Sequence, residues 1–275
     1  MLRHNQPPSS FHIQLANAMA TSAPATFVFG GRGFVGGAIC RELARRGLPV
    51  VSLGRSGTSG AGGDLGPGVE HRSGVDALQP ETYRSMLQGA RAVVVAVGEA
   101  PWAEKTGGTR EQAVRANGET NVAVLRTAAE QKVPRVVLVN ATMPTWGLIA
   151  GYREGKEMAE KVAQEYPETS GLGADSCGVL VLKPGVVTGT KYWGSVPLPF
   201  GVLFEPMRLV MSGLSSPCHA AEKLMPNVLG GTLRPAVRVQ ELAWAAADTI
   251  QGEGNHGVRV LEPDALVGYT STASS

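Results

Sequence analysis

The sequence predicts an α/β fold: a doubly wound parallel sheet with a small C-terminal lobe. Short apolar runs of strand length recur along the chain and alternate with stretches that space their apolar residues as a helix does. Strands that alternate with helices form a parallel sheet covered on both faces. A glycine-rich turn joins the first apolar run to the first helical stretch. We therefore expect one layer of strands between two layers of helices.

The predicted elements follow one another from the first apolar run onward. Buried strands are expected at residues 26–29, 49–53, 91–97, 135–139, 179–182 and 258–261. Helices are expected at residues 34–46, 110–131 and 240–250. Residues 56–68 are mostly Gly and Ser, a composition that is typical of a surface loop.

The length of 275 residues suits one principal domain between two terminal segments. Residues 1–25 contain no carboxylate and are interpreted as an extension that is presequence-like, partner-binding or simply disordered. Residues 26–266 are predicted to form the domain, and its small lobe, rich in Pro, Gly and Met, lies mainly at residues 186–235. Residues 267–275 contain several Ser and Thr and are predicted to form a flexible tail.

Composition excludes several classes of protein. The chain has 25 Lys and Arg against 23 Asp and Glu, and a net charge of +2 is too small for a protein that holds nucleic acid backbones. No run approaches the roughly 20 apolar residues of a transmembrane helix. The three cysteines are odd in number and far apart, and the histidines have no ligand-like neighbours. We predict neither a disulfide framework nor a metal site.

The strongest chemical signal is the glycine-rich turn after the first strand. Gly30 permits a tight turn, Gly33 lets the backbone approach a pyrophosphate, and Gly36 lets the helix pack closely on the strand. The free N–H groups at the start of the helix then face the phosphates. In this context the pattern predicts an NAD(P)-binding Rossmann fold. The predicted cofactor-binding residues of the turn are Gly30, Gly31, Arg32, Gly33, Phe34, Val35 and Gly36.

The second strand carries the signal for the choice of cofactor. Arg55 follows that strand, 19 residues beyond Gly36, where a site selective for NAD would carry an acidic residue. Arg pairs with a 2′-phosphate through charge-assisted hydrogen bonds, whereas a carboxylate repels it. Arg55 and Ser56 therefore predict NADP(H) rather than NAD(H). The alternative is that Arg55 is a solvated surface cation.

Five motifs occur in a fixed order: the turn at residues 30–36, the fourth strand and its glycine at 94–98, an Asn segment at 117–122, a YxxxK element at 152–156, and Lys-Pro-Gly with a later glycine at 183–189. In these motifs the chain resembles the atypical and extended short-chain dehydrogenase/reductase (SDR) superfamily from about residue 26 to 266. The resemblance implies further cofactor-binding residues, namely Asp76, Val97, Gly98, Asn117, Tyr152, Lys156, Pro184 and Gly185.

The resemblance also implies catalytic roles. In active members the Tyr hydroxyl donates or accepts a proton, and the Lys one helical turn further on lowers the pKa of the Tyr and holds the ribose; Tyr152 and Lys156 fit that spacing. The family usually supplies a Ser at the end of the fifth strand, where this chain has Asn140 and Thr142 instead. Either residue is a candidate for orienting a carbonyl. The pair at Tyr152 and Lys156 alternatively only contacts the nicotinamide ribose.

Within the superfamily, the stretches around residues 151–160 and 179–189 look closest to two groups. One is the nucleotide-binding accessory subunit of mitochondrial complex I; the other contains ubiquinone-biosynthesis-associated and plastid reductase-like proteins. This resemblance implies an accessory, structural or regulatory role in a mitochondrial quinone-linked respiratory or ubiquinone-biosynthesis assembly on the matrix side. The implied partners are subunits of that assembly and a quinone or prenylated small molecule. The alternatives are a free NADP-dependent oxidoreductase of a carbonyl or quinone-type molecule, a nucleotide sensor, and a plastid or cytoplasmic location.

Overall fold

The computed structural model describes residues 23–57, 63–101, 106–142, 149–193, 196–199, 221, 224, 234–252 and 255–271. It confirms the doubly wound sheet. Seven parallel strands lie in the order β11-β6-β5-β4-β1-β2-β3. These strands are β1 (Thr26–Phe29), β2 (Val50–Leu53), β3 (Val69–Arg72), β4 (Ala92–Val95), β5 (Arg135–Val139), β6 (Gly178–Leu182) and β11 (Gly257–Leu261).

Helices connect the strands and cover both faces of the sheet. They are α1 (Phe34–Arg45), α2 (Arg110–Val114), α3 (Thr120–Glu130), α4 (Ala150–Gln164), α5 (Tyr166–Thr169), α6 (Val239–Gln251) and α7 (Pro263–Leu266). The stretch at 110–131 is not the continuous α-helix that its spacing predicts, because a π-helical turn at Arg115–Glu119 separates α2 from α3.

The core consists of two apolar layers, one on each face of the sheet. Phe29 and Val95 point into a layer that also holds buried residues of α3 and α4. Val28 and Val94, their neighbours in sequence, point into the opposite layer with residues of α1 and α6. Adjacent residues of one strand face opposite sides of a sheet, so continuous apolar strands need apolar cover on both faces.

The small lobe is described only in part. A two-stranded parallel sheet joins β7 (Val187–Thr188) to β10 (Val237–Arg238), and an antiparallel pair joins β8 (Thr190–Trp193) to β9 (Val196–Pro199). Most of the predicted lobe at 186–235, and residues 1–22 of the predicted extension, lie outside the described residues. Within the described part of the chain, no helix is long and apolar enough to cross a membrane.

The segment after α7, predicted to be a flexible tail, makes side-chain contacts up to Ser271. The Gly268 N–H donates to Glu241, and the Tyr269 hydroxyl donates to Asp248 over 3.0 Å. Arg46 donates to the hydroxyl of Ser271 over 2.7 Å. Residues 268–271 therefore lie against α1 and α6.

Candidate functional site

The glycine turn between β1 and α1 leaves no room for side chains. Gly30 has φ of +76°, a conformation that favours glycine, and a Cβ there would collide with the carbonyl oxygen of Ala96 beyond β4. A Cβ at Gly36 would collide with the carbonyl oxygen of Gly30. A Cβ at Gly31 would lie 2.5 Å from Oγ of Ser52 on β2. The turn thus packs its bare backbone against β2, β4 and the first turn of α1.

The start of α1 has neither a capping side chain nor an acidic residue in its first turn. Gly33 is the N-cap residue and has no side chain to cap the helix, and the first turn contains no acidic residue. The first amides of an α-helix have no partner within the helix, and the helix dipole places partial positive charge there. Arg32, Phe34 and Val35 beside this end are each half-buried. The arrangement suits an anionic group such as a pyrophosphate.

Arg55 and Ser56 are exposed directly after β2, as the sequence predicts for a loop at this edge. The backbone here is held by the segment after β3, because the N–H of Gly74 donates to the carbonyl of Arg55 and the N–H of Val75 donates to that of Gly54, each over 3.1 Å. Asp76 lies in the same segment.

One Asp76 carboxylate oxygen accepts the N–H of Leu78 over 3.0 Å. Asp76 is half-buried beside the loop that carries Arg55. A carboxylate that accepts the amide two residues on stabilises a local turn.

Val97, Gly98 and Asn117 meet where β4 ends. Val97 packs on the core, and a Cβ at Gly98 would lie 2.6 Å from Oδ1 of Asn117 and 3.5 Å from Nζ of Lys156. Asn117 is fully buried in the π-helical turn; its Oδ1 accepts the N–H of Glu99 over 3.1 Å and its Nδ2 donates to the carbonyl of Ala113 over 3.0 Å. Asn117 therefore ties the loop after β4 to the helical layer.

The π-helical turn packs closely on α4. A Cβ at Gly118 would lie 2.7 Å from Cα of Gly155, and a Cβ at Gly155 would lie 2.8 Å from N of Gly118. The two backbones therefore touch with no side chain between them. This contact brings Asn117 and Lys156, each the direct neighbour of one of these glycines, to the same end of the sheet.

Tyr152 and Lys156 form a buried pair on α4. Their exposed fractions are 8% and 5%, and Nζ of Lys156 lies 5.8 Å from the centre of the Tyr152 ring. Nζ also donates to the carbonyl of Val139, at the end of β5, over 3.2 Å. Burial raises the pKa of Tyr152 to about 12 and lowers that of Lys156 to about 8. At neutral pH the phenol is protonated and the ammonium is largely retained.

Asn140 is the first of the two residues where the family usually has a Ser, and it contacts Lys156 and Glu160 on α4. Its Nδ2 donates to Oε2 of Glu160 over 2.9 Å and approaches the carbonyl of Lys156 at 3.3 Å. The residue is buried, and its Oδ1 has no hydrogen-bond partner within the described part of the chain. Asn140 forms no hydrogen bond with Tyr152.

Thr142, the second of these residues, belongs to a charged cluster between the ends of β5, β6 and β11. Its hydroxyl lies 2.7 Å from the carbonyl of Lys183 and 2.8 Å from Oε2 of Glu262. Nζ of Lys183 contacts Glu160 at 3.1 Å and Glu262 at 3.3 Å. The two carboxylates raise the pKa of Lys183 against the opposing effect of burial. The sequence reasoning missed Glu160 and Glu262.

The segment after β6 approaches the glycine turn. Pro184 is buried, and its carbonyl accepts the N–H of Thr142 over 2.9 Å. Gly185 is half-buried, and a Cβ at Gly189 would lie 3.3 Å from the ring of Phe34 at the start of α1. The segment thus runs from the carboxyl end of β5 towards α1.

Other residues with reactive side chains do not form a metal site. Within the described residues, no group of three or more His, Cys, Asp and Glu side chains is arranged to hold a metal ion. Cys40 and Cys177 are buried free thiols, and burial raises the pKa of both. His71, which has no ligand-like neighbours in the sequence, forms hydrogen bonds with the hydroxyl of Ser52 on β2 and with the carbonyl of Ser56 beyond it.

Comparisons with known proteins identify relatives of this chain. The model of the NAD dependent epimerase/dehydratase family matches residues 26–174. An uncharacterized chloroplastic protein of Arabidopsis thaliana is 30% identical over 246 residues, which are 86% of this chain and 74% of that protein. MIOREX complex component 2 of Saccharomyces cerevisiae is 34% identical over 79 residues, which are 27% of this chain and 28% of that protein.

Solved structures share the fold at low sequence identity. The Bordetella bronchiseptica enzyme WbmH in complex with NAD+ gives a TM-score of 0.57 at 18% identity, over 87% of this chain and 75% of its own. DesIV, a dTDP-glucose 4,6-dehydratase from Streptomyces venezuelae with NAD bound, gives 0.59 at 18% identity over the same shares. These structures confirm the Rossmann fold, and the family model together with the Arabidopsis relative confirms the predicted resemblance at the level of the superfamily. The chain belongs to the NAD dependent epimerase/dehydratase family.

Proposed function

We propose that this protein binds NADP(H) along the carboxyl-terminal edge of the sheet. The observation that carries the proposal is the glycine turn, where Cβ atoms at Gly30 and Gly36 would meet backbone carbonyls. This bare backbone and the acid-free start of α1 fit a pyrophosphate. Asn117, Gly98 and Lys156 converge at the end of β4, where they would hold the nicotinamide ribose.

The preference for NADP(H) rests on Arg55. It is exposed after β2, and its described loop neighbours, Gly54, Ser56 and Gly57, carry no carboxylate. Hydrogen bonds to a charged group contribute about 1.5–3 kcal/mol, which is a factor of about 10 to 150 in affinity. Titration of the protein with NADPH and NADH, followed by nicotinamide fluorescence, should show such a preference.

An Arg55→Asp variant tests this assignment. It should lose the preference or reverse it, because a carboxylate repels the 2′-phosphate and binds ribose hydroxyls. Arg84→Asp, which changes an exposed Arg in the short 3-10 helix between β3 and β4, where it contacts Glu130, serves as the charge control and should leave both affinities unchanged. Unaltered NADPH affinity in the Arg55→Asp variant would contradict the role of Arg55.

The geometry best supports an NADP-dependent oxidoreductase of a carbonyl or quinone-type substrate. Reduced nicotinamide, when bound, supplies hydride to the substrate carbon. The hydroxyl of Tyr152 is protonated at neutral pH and donates its proton to the substrate oxygen. Lys156 lies beside the ring as an ammonium and stabilises the phenolate that remains. Burial of both residues excludes water from the transfer.

A Tyr152→Phe variant tests the chemistry. Turnover should fall by about 10²–10⁴-fold, the usual contribution of general acid catalysis, while NADPH affinity stays the same. Tyr166→Phe is the matched control, because Tyr166 is also buried but donates its hydroxyl to Val133 in the core. Equal activity in the two variants would refute the catalytic role of Tyr152.

A second candidate function is a non-catalytic accessory subunit in which the nucleotide is structural or regulatory. It is favoured by Asn140 and Thr142, whose hydrogen bonds go to Glu160, Lys183 and Glu262 rather than to Tyr152. A mitochondrial quinone-linked setting rests on the resemblance of the sequence. Organelle location is part of this proposal, and a chloroplastic relative supports a plastid equally well.

Native-gel fractionation of a mild detergent extract separates the two functions. Migration with a large assembly would support the accessory role, and a Tyr152→Phe variant would still assemble. Migration near 28.7 kDa or as a small oligomer would contradict it.

A further inference from the structure

His71 joins β3 to the loop that carries Arg55. It is paired in register with Ser52 of β2, and its Nδ1 lies 3.0 Å from Oγ of Ser52. Its Nε2 lies 3.0 Å from the carbonyl oxygen of Ser56. One imidazole therefore spans from the buried end of β2 to the exposed residue directly after Arg55.

The chemistry of the partners fits a hydrogen bond at each end of the ring. A carbonyl oxygen only accepts hydrogen bonds, so Nε2 of His71 donates to Ser56. A hydroxyl both donates and accepts, so Oγ of Ser52 can pair with Nδ1 whichever of the two atoms carries the hydrogen.

The span acts on a loop whose carbonyls are held one after another. The carbonyls of Gly54 and Arg55 accept the N–H groups of Val75 and Gly74. The carbonyl of Ser56 accepts Nε2 of His71. The backbone is thus fixed at Arg55 and on both sides of it, so the direction in which the Arg55 side chain leaves the loop is defined.

The other end of the span reaches the glycine turn. Oγ of Ser52 lies where a side chain at Gly31 would project. The Ser52 hydroxyl therefore separates the imidazole from the turn by one side chain.

We propose that His71 is a positioning residue that sets the preference for a 2′-phosphorylated dinucleotide by fixing the loop that presents Arg55. The inference rests on the proposed NADP(H)-binding function and deepens it. Because the contacts of His71 reach the loop for the 2′-phosphate, its loss should weaken NADP(H) binding and leave NAD(H) binding nearly unchanged.

Three substitutions test the His71–Ser52 and His71–Ser56 hydrogen bonds separately. In His71→Gln the amide nitrogen stands in for Nε2 and preserves the bond to Ser56. In His71→Asn it stands in for Nδ1 and preserves only the bond to Ser52. His71→Phe removes both. His256→Gln is the control, because His256 is exposed and lies before β11 at the opposite edge of the sheet.

The readout is the ratio of NADPH to NADH dissociation constants, measured with the thermal midpoint of each full-length variant. His71→Asn and His71→Phe should lose about tenfold in NADPH affinity, as for one hydrogen bond, with NADH affinity within about twofold. His71→Gln should keep the wild-type ratio and so act as the conservative rescue.

The outcomes distinguish a failure of the proposed role of His71 from a failure of the proposed NADP(H) binding. If wild-type protein binds neither dinucleotide, both proposals are refuted. If Arg55 controls the preference but all three His71 variants keep the wild-type ratio, only the role of His71 is refuted. A parallel loss of both affinities together with thermal stability would likewise refute it, because that pattern belongs to a residue that only supports the fold.

Discussion

Replacing Arg46 with Met should cause a large loss of stability. Arg46 follows α1 and its side chain contacts four others: Glu42 at 2.8 Å, Asp248 of α6 at 2.5 Å, the hydroxyl of Ser271 at 2.7 Å and Oε1 of Gln251 at 3.2 Å. The side chains of Arg46, Glu42 and Asp248 are only 3–4% exposed. One buried guanidinium therefore compensates two buried carboxylates and anchors the end of the described chain.

The expected magnitude follows from removing the buried guanidinium that both carboxylates share, although Glu42 keeps its contact with the exposed Arg45. Removal of one member of a buried ion pair costs about 3–5 kcal/mol, because an uncompensated charge stays in the interior. In a domain of this size each kcal/mol lowers the midpoint of thermal unfolding by about 2–4 °C, so the variant should melt about 6–20 °C lower. Scanning calorimetry or circular dichroism measures the shift.

Arg45→Met is the matched control. Arg45 is the preceding residue and contacts the same carboxylate at 2.7 Å, but its side chain is 63% exposed. Water and salt screen such a pair, so its loss should move the midpoint by no more than about 4 °C. Equal shifts in the two variants would refute the reasoning that burial decides the effect.

The effect of Arg46→Met should also depend on pH. Burial acts to raise the pKa of Glu42, but hydrogen bonds from Arg45 and Arg46 outweigh it and hold the pKa below the ordinary value of 4.5. A depressed carboxylate pKa stabilises the fold above that value, and the contribution is lost as pH falls through the folded pKa. The difference between wild type and variant should therefore be largest near pH 7 and should narrow below about pH 4.5.

Three further predictions concern the site and the core. Gly36→Ala should abolish NADPH binding in a fluorescence titration because its Cβ would meet the Gly30 carbonyl, whereas Gly57→Ala, whose nearest contact would be 3.9 Å away, should bind normally. Tyr166→Phe leaves the Val133 carbonyl unpaired and should cost about 1–2 kcal/mol in urea unfolding with an unchanged m-value. For Lys156, burial lowers the pKa from 10.5 to about 8, so the unfolded chain binds more protons between these values and stability rises with pH. The stability of wild type relative to Lys156→Met should accordingly increase from pH 8 to 10.5, and a constant difference would contradict the assignment.

The strands of the central sheet were predictable because their signal is local. β1, β4, β5 and β6 are buried on both faces, so each is a continuous apolar run in the sequence. The predicted and observed bounds differ by at most two residues at each end. β3 is different: it is one of the two edge strands, it alternates half-buried and exposed residues, and its sequence Val-Glu-His-Arg contains no apolar run.

The break in the helix at 110–131 was not predictable from its spacing. The π-helical turn lies where Gly118 approaches Gly155 on another helix closely. A pattern within one helix does not contain that contact. π-helical turns of this kind are frequent at functional sites, and this one carries the buried Asn117.

In the candidate site, too, features set by neighbouring residues in the sequence were predictable and features set by distant residues were not. The glycine turn was predictable because its chemistry depends on consecutive residues. The environment of Thr142 depends on Lys183 and Glu262, which are 41 and 120 residues away in the chain. The sequence around Thr142 contains no feature that predicts its contacts with Lys183 and Glu262.

The proposed preference for NADP(H) depends on a residue found in the local sequence and on contacts from a distant segment. Arg55 was found by counting from Gly36, but its loop is fixed by Gly74, Val75 and His71 from the neighbouring strand and its continuation. A charged residue discriminates between two ligands only if the backbone holds it at the distinguishing group. Transfer of Arg55 alone into a relative that lacks the His71 contact should therefore give less NADP(H) preference than transfer of both residues together.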